Sequence, residues 1–276
     1  MEDHLSLIGG RGPLPIETEG YTDERWTGDL DTMKLLLWNV EWNVEWNVEW
    51  NVEWNGSKRK RSFIENAISD LAPDVYCLTE ATDAVVPQDA HVISATEDYG
   101  YQLFEGRRKV RLCSQTEWSE VSTGNGMPPG RFVSGITSGI RFVGICVPWF
   151  DAHVSRGKQN RKRWEEHVDF LKGLAPILNC YAEFGPVCVL GDFNQRVPAT
   201  SWNEKYVGYL RDALSDRYSL DTEEIIDVDG ERLIDHVATT HQLTFKIQET
   251  LGRKTDDGSA ISDHPAIIGE LKSLVS

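Results

Sequence analysis

Apolar residues in this chain fall in short runs separated by dense turn punctuation. Met33–Trp38, Val75–Leu78, Val110–Cys113, Phe132–Ile136, Ile140–Val147, Val187–Leu190, Leu233–Ala238 and Ala266–Ile268 are brief and rich in β-branched residues, which predicts strands. Two stretches repeat with helical period. Phe63–Leu71 puts Phe63, Ile64, Ala67, Ile68 and Leu71 on one face, and Trp164–Leu178 has the same character. A third helix is expected near Ser201. Helices and hairpin-like strand pairs alternate irregularly, so the sheets should be mixed rather than purely parallel. Residues 1–30 hold Gly9-Gly10, Gly12-Pro13, Pro15 and Gly20 without sustained periodicity and read as an irregular N-terminal extension. No Pro/Gly/Ser linker divides the remainder, so residues 31–276 are expected to form a single domain.

Composition narrows the class. A hydrophobic share of 40% and a charged share of 26% match a globular protein with a real core. No apolar run approaches the ~20 residues of a membrane span. The acidic start Met1-Glu2-Asp3-His4 lacks the build of a signal peptide. The five cysteines are odd in number and include no C-x-x-C pair, and three of them, Cys77, Cys146 and Cys188, lie in apolar runs. They read as reduced core residues, which points to a cytoplasmic protein with no membrane association.

The net charge of −16 would repel nucleic acid overall. Three stretches run the other way: Lys58–Arg61, Arg107–Arg111, and Arg156–Arg163 with five positive side chains. Each alone reads as a solvated face, yet phosphate binding needs only local charge.

A tetrapeptide, Trp-Asn-Val-Glu, starts at Trp38, Trp42, Trp46 and Trp50, and a fifth copy opens with Trp54-Asn55. Its period is too short for a solenoid unit. Strict alternation would allow an extended arm that contacts a protein partner. An in-frame expansion carried as a loop is the reading adopted here.

Four clusters follow predicted strands. They are Leu35–Glu41, Val75–Glu80, Val187–Asn194, and the pair Ile234-Asp235-His236 with Ser262-Asp263-His264-Pro265. Together they place Asn39, Glu41, Glu80, Asp192, Asn194, Asp235, Asp263 and His264 where they could converge on one pocket. Oxygen donors without cysteine suit a hard cation, Mg²⁺ or Mn²⁺, rather than zinc. Glu80, a carboxylate directly after a buried strand, is the leading ligand.

The ordered series W-N-V-E, L-T-E, G-D-F-N, I-D-H and S-D-H-P, from Lys34 to Leu271, resembles the endonuclease/exonuclease/phosphatase (DNase I-like) superfamily. The resemblance implies an α/β fold, a four-layered sandwich of two mixed β-sheets flanked by helices, and a metal-dependent phosphoric ester hydrolase. It implies that Glu80 holds the metal, helped by Asn39 and Glu41, with Asp263 supporting the metal side. Asp192 would orient or deprotonate the attacking water, and Asn194 would hold a phosphate oxygen or that water. His264, paired with Asp235, would contact the scissile phosphate.

Two features depart from the superfamily pattern. Where relatives carry a mid-chain tyrosine or histidine, this chain reads Ile145-Cys146-Val147-Pro148-Trp149, and His153 stands either as the phosphate contact or as a loop histidine. The repeat also offers the first motif several times. Asn51 lies 29 positions before Glu80, close to the roughly 30 residues of a βαβ unit. Asn39, however, follows a fully apolar strand, whereas a strand ending at Asn51 would contain Glu45 and Glu49. Asn39 and Glu41 are therefore the expected ligands. The expected activity is a Mg²⁺-dependent phosphodiesterase acting on DNA rather than RNA, with Arg156, Arg196 and Trp149 touching substrate. The alternatives are a phosphomonoesterase or phospholipid/inositol phosphate hydrolase, and a binding subunit that uses the Trp-rich repeat.

Overall fold

Leu35 and Leu37 turn to one side of their strand and Leu36 and Trp38 to the other, and both sides are buried. A strand with no polar face must lie inside a layered structure, and every layer of this fold can be placed around it. The computed structural model describes residues 32–41, 54–102, 104–124, 126–200 and 202–274, with side chains from residue 58 onward in the second range.

In chain order the elements are β1 (Met33–Asn39), α1 (Trp54–Leu71), β2 (Val75–Thr82), β3 (His91–Ser94), β4 (Arg107–Ser114) and β5 (Ser119–Ser122). Next come β6 (Phe132–Thr137), β7 (Ile140–Cys146), α2 (Glu165–Phe184), β8 (Val187–Asp192) and α3 (Glu204–Leu214). The chain closes with β9 (Tyr218–Leu220), β10 (Asp235–Thr240), β11 (Leu243–Leu251) and β12 (Ala266–Ser273).

Two six-stranded sheets form, in the orders β11-β12-β1-β2-β4-β3 and β5-β6-β7-β8-β10-β9. Both are mixed. β1 and β2 run parallel across α1, β7 and β8 run parallel across α2, and the remaining pairs are antiparallel. Leu35, Leu37, Cys77 and Leu112 of the first sheet meet Phe142, Cys188, Leu190 and Val237 of the second in the central core. Ile64 and Ile68 of α1 cover the outer face of the first sheet with Leu36 and Trp38. Phe170, Leu174 and Leu178 of α2, with Val207 and Leu210 of α3, cover the second. The four expected layers are therefore present, and burying both faces of each sheet accounts for the continuous apolar runs.

The expected strands all form, with shifted ends: the Leu233 run starts its ladder at Asp235, and the Ala266 run continues to Ser273. Four strands, β3, β5, β9 and β11, are absent from the sequence expectation. They are the four sheet edges. An edge strand is short or open to solvent, as the exposed His91, Val92, Ser119 and Glu120 show, so it carries no apolar run. Helix α1 starts at Trp54 rather than Phe63, because Lys58, Arg59, Lys60 and Arg61 favour a helix without adding to its apolar stripe. Thus the first repeat copy ends β1 and the fifth opens α1. The copies between them, and the N-terminal extension, lie outside the described residues. All five cysteines are free thiols, and only Cys180 is less than fully buried.

Candidate active site

Parallel pairing brings the C-terminal ends of β1 and β2 to one edge of the sandwich, and packing of the sheets brings the end of β8 beside them. Antiparallel pairing adds the start of β10, where Asp235 stands opposite Asp192. The turn before β12 brings in Asp263 and His264.

Asp192, 2% exposed, is the hub. Its Oδ1 accepts the Asn194 backbone N–H at 2.8 Å, and its Oδ2 accepts the Asn194 side-chain amide at 2.8 Å and the Asn39 amide at 3.2 Å. Asn194 also donates to the Val147 carbonyl at 2.9 Å. Gly191 makes this approach possible, since a Cβ there would stand 1.9 Å from the Ile145 carbonyl oxygen. Burial pushes the Asp192 carboxyl up to about 7, with the charges of Asp235 and Glu80 adding and those of His264 and the Asn194 N–H opposing.

His264 Nδ1 lies 2.5 Å from Asp235 Oδ2, and Asp235 is fully buried. Burial disfavours the imidazolium, but Asp235, Asp192 and Asp263 outweigh it and raise the His264 pKa to about 10. At neutral pH the ring is therefore charged, with Nδ1–H donated to Asp235. Its Nε2 faces the Asn39 amide at 3.4 Å and Asp263 Oδ1 at 3.5 Å. Ser262 Oγ donates to the Asn39 carbonyl at 2.6 Å and accepts the His264 backbone N–H at 3.1 Å, tying the end of β1 to the histidine turn. Asp192, Asp235 and His264 offer ligand atoms within 4.8 Å of one another. Within the trio only His264 and Asp235 are hydrogen-bonded to each other, while amides of Asn39 and Asn194 hold Asp192 beside them.

A second group lies toward solvent. Glu41, Glu80 and Asp263 share one electrostatic field. Burial, then Asp263 and Glu80, raise the Glu41 pKa, while Lys60 opposes. Lys60 Nζ is 3.8 Å from Glu41 Oε2 and donates to the Glu41 carbonyl at 3.2 Å, and burial lowers its own pKa against three carboxylates. Glu80 pairs with Lys109, its neighbour across the β2–β4 ladder between the Thr79–Val110 and Ala81–Arg108 registers. Glu41 and Glu80 both adopt left-handed backbone (φ 39° and 53°), as does Asn194 (φ 52°). Such conformations are costly for residues other than glycine and tend to collect at functional sites. Lys60 and Lys109 thus sit among three carboxylates whose charges act on one another, while among the described residues only Asp192, Asp235 and His264 bring ligand atoms within 4.8 Å of one another.

Asn39, Glu41, Glu80, Asp192, Asn194, Asp235, Asp263 and His264 thus come to one place. His153 has partners of its own. It is buried, stacked on Tyr101 with centroids 4.2 Å apart, its Nδ1 accepts the Lys158 N–H at 3.1 Å, and its Nε2 lies 3.5 Å from Glu166. Trp149 is exposed on the loop after β7, two residues past the carbonyl that holds Asn194, and Arg156 is exposed further along that loop. Arg196 pairs with Glu231 at 3.5 Å and lines a cleft of about 480 Å³ that reaches Asp263. Three further cations, Arg232, Arg253 and Lys254, line the same cleft.

Sequence reasoning gave no role to Lys60, Lys109 or Ser262. The two lysines belong to the basic stretches Lys58–Arg61 and Arg107–Arg111, whose sequence shows only local charge. Only the ladder register that sets Lys109 opposite Glu80 reveals its role, and for Lys60 only the docking of α1 does so. The serine signal was available, lying two residues before His264 in the S-D-H-P motif.

No family model and no curated relative matches the sequence. The fold does match solved structures. An AP endonuclease from Archaeoglobus fulgidus aligns with a TM-score of 0.60 at 15% identity, over 86% of this chain and 98% of that one. A humanized D. rerio TDP2 carrying 14 mutations aligns with a TM-score of 0.58 at 15% identity, over 88% and 99%. A 3'-5' exonuclease (NExo) from Neisseria meningitidis aligns with a TM-score of 0.57 at 16% identity, over 86% and 98%. The likeness is one of fold, the two-sheet sandwich flanked by helices that the ordered motifs imply. Among the described residues no helix is long and apolar enough to cross a membrane.

Proposed function

We propose that this protein is a Mg²⁺-dependent phosphodiester hydrolase, a nuclease acting on DNA. The observation that carries the reading is the junction between sheets, where the Asp192 carboxylate, fixed by the Asn39 and Asn194 amides, faces the His264–Asp235 pair. An AP endonuclease and a 3'-5' exonuclease among the structural neighbours support nuclease chemistry.

In this reading Asp192 accepts a proton from the attacking water. Asn39 and Asn194 keep its carboxylate from rotating away, and the Asn194 Oδ1 is left to accept a hydrogen bond from the attacking water. His264 donates from Nε2 to a phosphate oxygen as negative charge builds there, and Asp235 holds the ring in orientation and keeps it protonated. Glu80, Glu41, Asp263 and Asn39 would hold Mg²⁺, with Mn²⁺ accepted by the same oxygens, and the cation supplies charge neutralisation at the phosphate when bound. His153, within the packing of its loop, shapes that loop rather than touching substrate. The free buried thiols support a reducing, cytoplasmic setting.

A digestion panel tests the proposal: plasmid, linear duplex, single-stranded DNA, RNA, a small chromogenic phosphodiester and a chromogenic phosphomonoester. DNA and the small diester should be hydrolysed with Mg²⁺ and spared in EDTA. Full activity in EDTA, or hydrolysis of the monoester alone, overturns it.

A further inference from the structure

Beside Asp192, the loops that leave the parallel strands β7 and β8 build a set of touching aromatic rings. The loop after β7 begins at Val147, whose carbonyl holds Asn194, and carries Trp149 and Phe150. The loop after β8 runs past Asn194 to Trp202. Phe150 lies between the two tryptophans, with centroids 5.3 Å from Trp149 and 6.2 Å from Trp202. Trp164 backs the set, 5.7 Å from Phe150 and 5.5 Å from Trp202, and is itself stacked on Tyr206 at 4.1 Å. His167 secures the loop from behind, its Nδ1 2.7 Å from the Pro148 carbonyl.

Packing alone does not account for this arrangement. Trp164 is buried, yet Trp149 remains 39% exposed and Trp202 60% exposed. Grouped aromatic surface left open to water marks an interaction site. Its border mixes cations with acids that pair two of them. The Arg163 guanidinium lies 4.9 Å from the Phe150 ring while its Nε pairs with Asp151, and Arg161 pairs with Glu165 and Asp169. Lys158 and Lys162 stand exposed in the same loop. On a chain with a net charge of −16, exposed rings flanked by local cations are complementary to one kind of partner: a polyanion that carries free π-faces. Bases in a duplex stack on each other and offer only their edges, whereas an unpaired strand offers faces and phosphates together.

We infer that Trp149 and Trp202 form a stacking platform for unpaired bases next to the scissile phosphate. The favoured substrate class is single-stranded nucleic acid or a frayed duplex end. This inference rests on the nuclease reading of the Asp192 site and adds the substrate's strandedness to it.

The test uses the full chain, with oligo-dT as the binding probe in EDTA and as substrate in Mg²⁺, beside a duplex closed by hairpins and a small chromogenic phosphodiester. Oligo-dT should quench tryptophan fluorescence. Trp202→Ala should weaken its binding about tenfold, the size of one lost base stack, and raise KM for oligo-dT by a similar factor. Trp202→Phe should restore most of the loss, and the small diester should be hydrolysed by Trp202→Ala as by wild type. Trp149→Ala should weaken oligo-dT binding in the same way, and wild type should cut the closed duplex more slowly than oligo-dT. Oligo-dT affinity unchanged in Trp202→Ala, or equal cleavage of closed duplex and oligo-dT, overturns the platform while small-diester hydrolysis keeps the nuclease reading intact. Ring-dependent oligo-dT binding without hydrolysis of any diester overturns the nuclease reading and leaves the platform standing.

Discussion

Two acidic clusters meet at the same edge of the sandwich and are built on opposite principles. In the inner one, Asp192, Asp235 and His264 are almost wholly buried, and hydrogen bonds within the chain fix each of them. The outer one gathers Glu41, Glu80 and Asp263 at 50%, 19% and 67% side-chain exposure, balanced by the ammonium groups of Lys60 and Lys109. A buried charge is costly unless it is paired, and here His264 pairs with one oxygen of Asp235 while the other is left without a hydrogen bond. The outer carboxylates are more open to solvent and are balanced by the ammonium groups of two largely buried lysines. The contrast teaches that one edge of a sandwich can carry a buried acidic cluster held by hydrogen bonds and a more open one balanced by lysines, 3.5 Å apart at the contact of His264 with Asp263.

The largest effect should come from breaking the inner cluster. Asp192→Ala should lower kcat on the small diester about 10³-fold with the fold intact by circular dichroism, since it removes the general base and leaves a small polar gap. His264→Ala should follow at roughly 10²-fold, mainly in kcat. Asp235→Asn should act in the same direction but less, and it should move the alkaline limb of the pH–rate profile to lower pH, because the charge that keeps His264 protonated is gone. A drop in kcat with an unmoved limb would mean that Asp235 is only a packing residue.

The outer cluster should respond differently. Lys109→Met removes the cation that competes for Glu80, so Mn²⁺ binding measured by calorimetry should tighten about tenfold, while the thermal stability of the metal-free protein falls. Glu80→Gln should weaken Mn²⁺ binding. If neither variant changes the measured affinity, the outer carboxylates are not the cation site.

An effect on stability rather than activity sharpens the comparison through a second buried histidine. His167 has the Pro148 carbonyl beside it and no carboxylate ion pair among the described residues, and burial lowers its pKa to about 4, the reverse of His264. Its folded pKa lies below the unfolded value of about 6.5, so the unfolded chain takes up the proton first. The stability it supports is complete above pH ~6.5 and declines as pH falls toward ~4, by up to about 3 kcal/mol. Melting temperatures measured across that range should fall less steeply in His167→Gln than in wild type, and parallel slopes would refute the assignment.

The sequence by itself determined the interior. Eight apolar runs were legible as strands because each is buried on both faces. The ordered clusters around Asn39, Glu80, Asp192, Asp235 and His264 were legible because each directly follows or precedes such a run. The expectation of Asn39 over a later repeat copy rests on Leu35-Leu36-Leu37 and the cost of burying Glu45 or Glu49, and the later copies' side chains lie outside the described residues. Only the tertiary structure decided the rest. The edge strands β3, β5, β9 and β11 carry no buried run and exist because a neighbour offers free backbone partners. Lys109 is a site residue because ladder register sets it against Glu80, and Trp149 and Trp202 share a surface, 53 positions apart, because β7 and β8 lie side by side. Burial leaves its mark on local composition, whereas pairing and loop juxtaposition depend on residues far away in the chain.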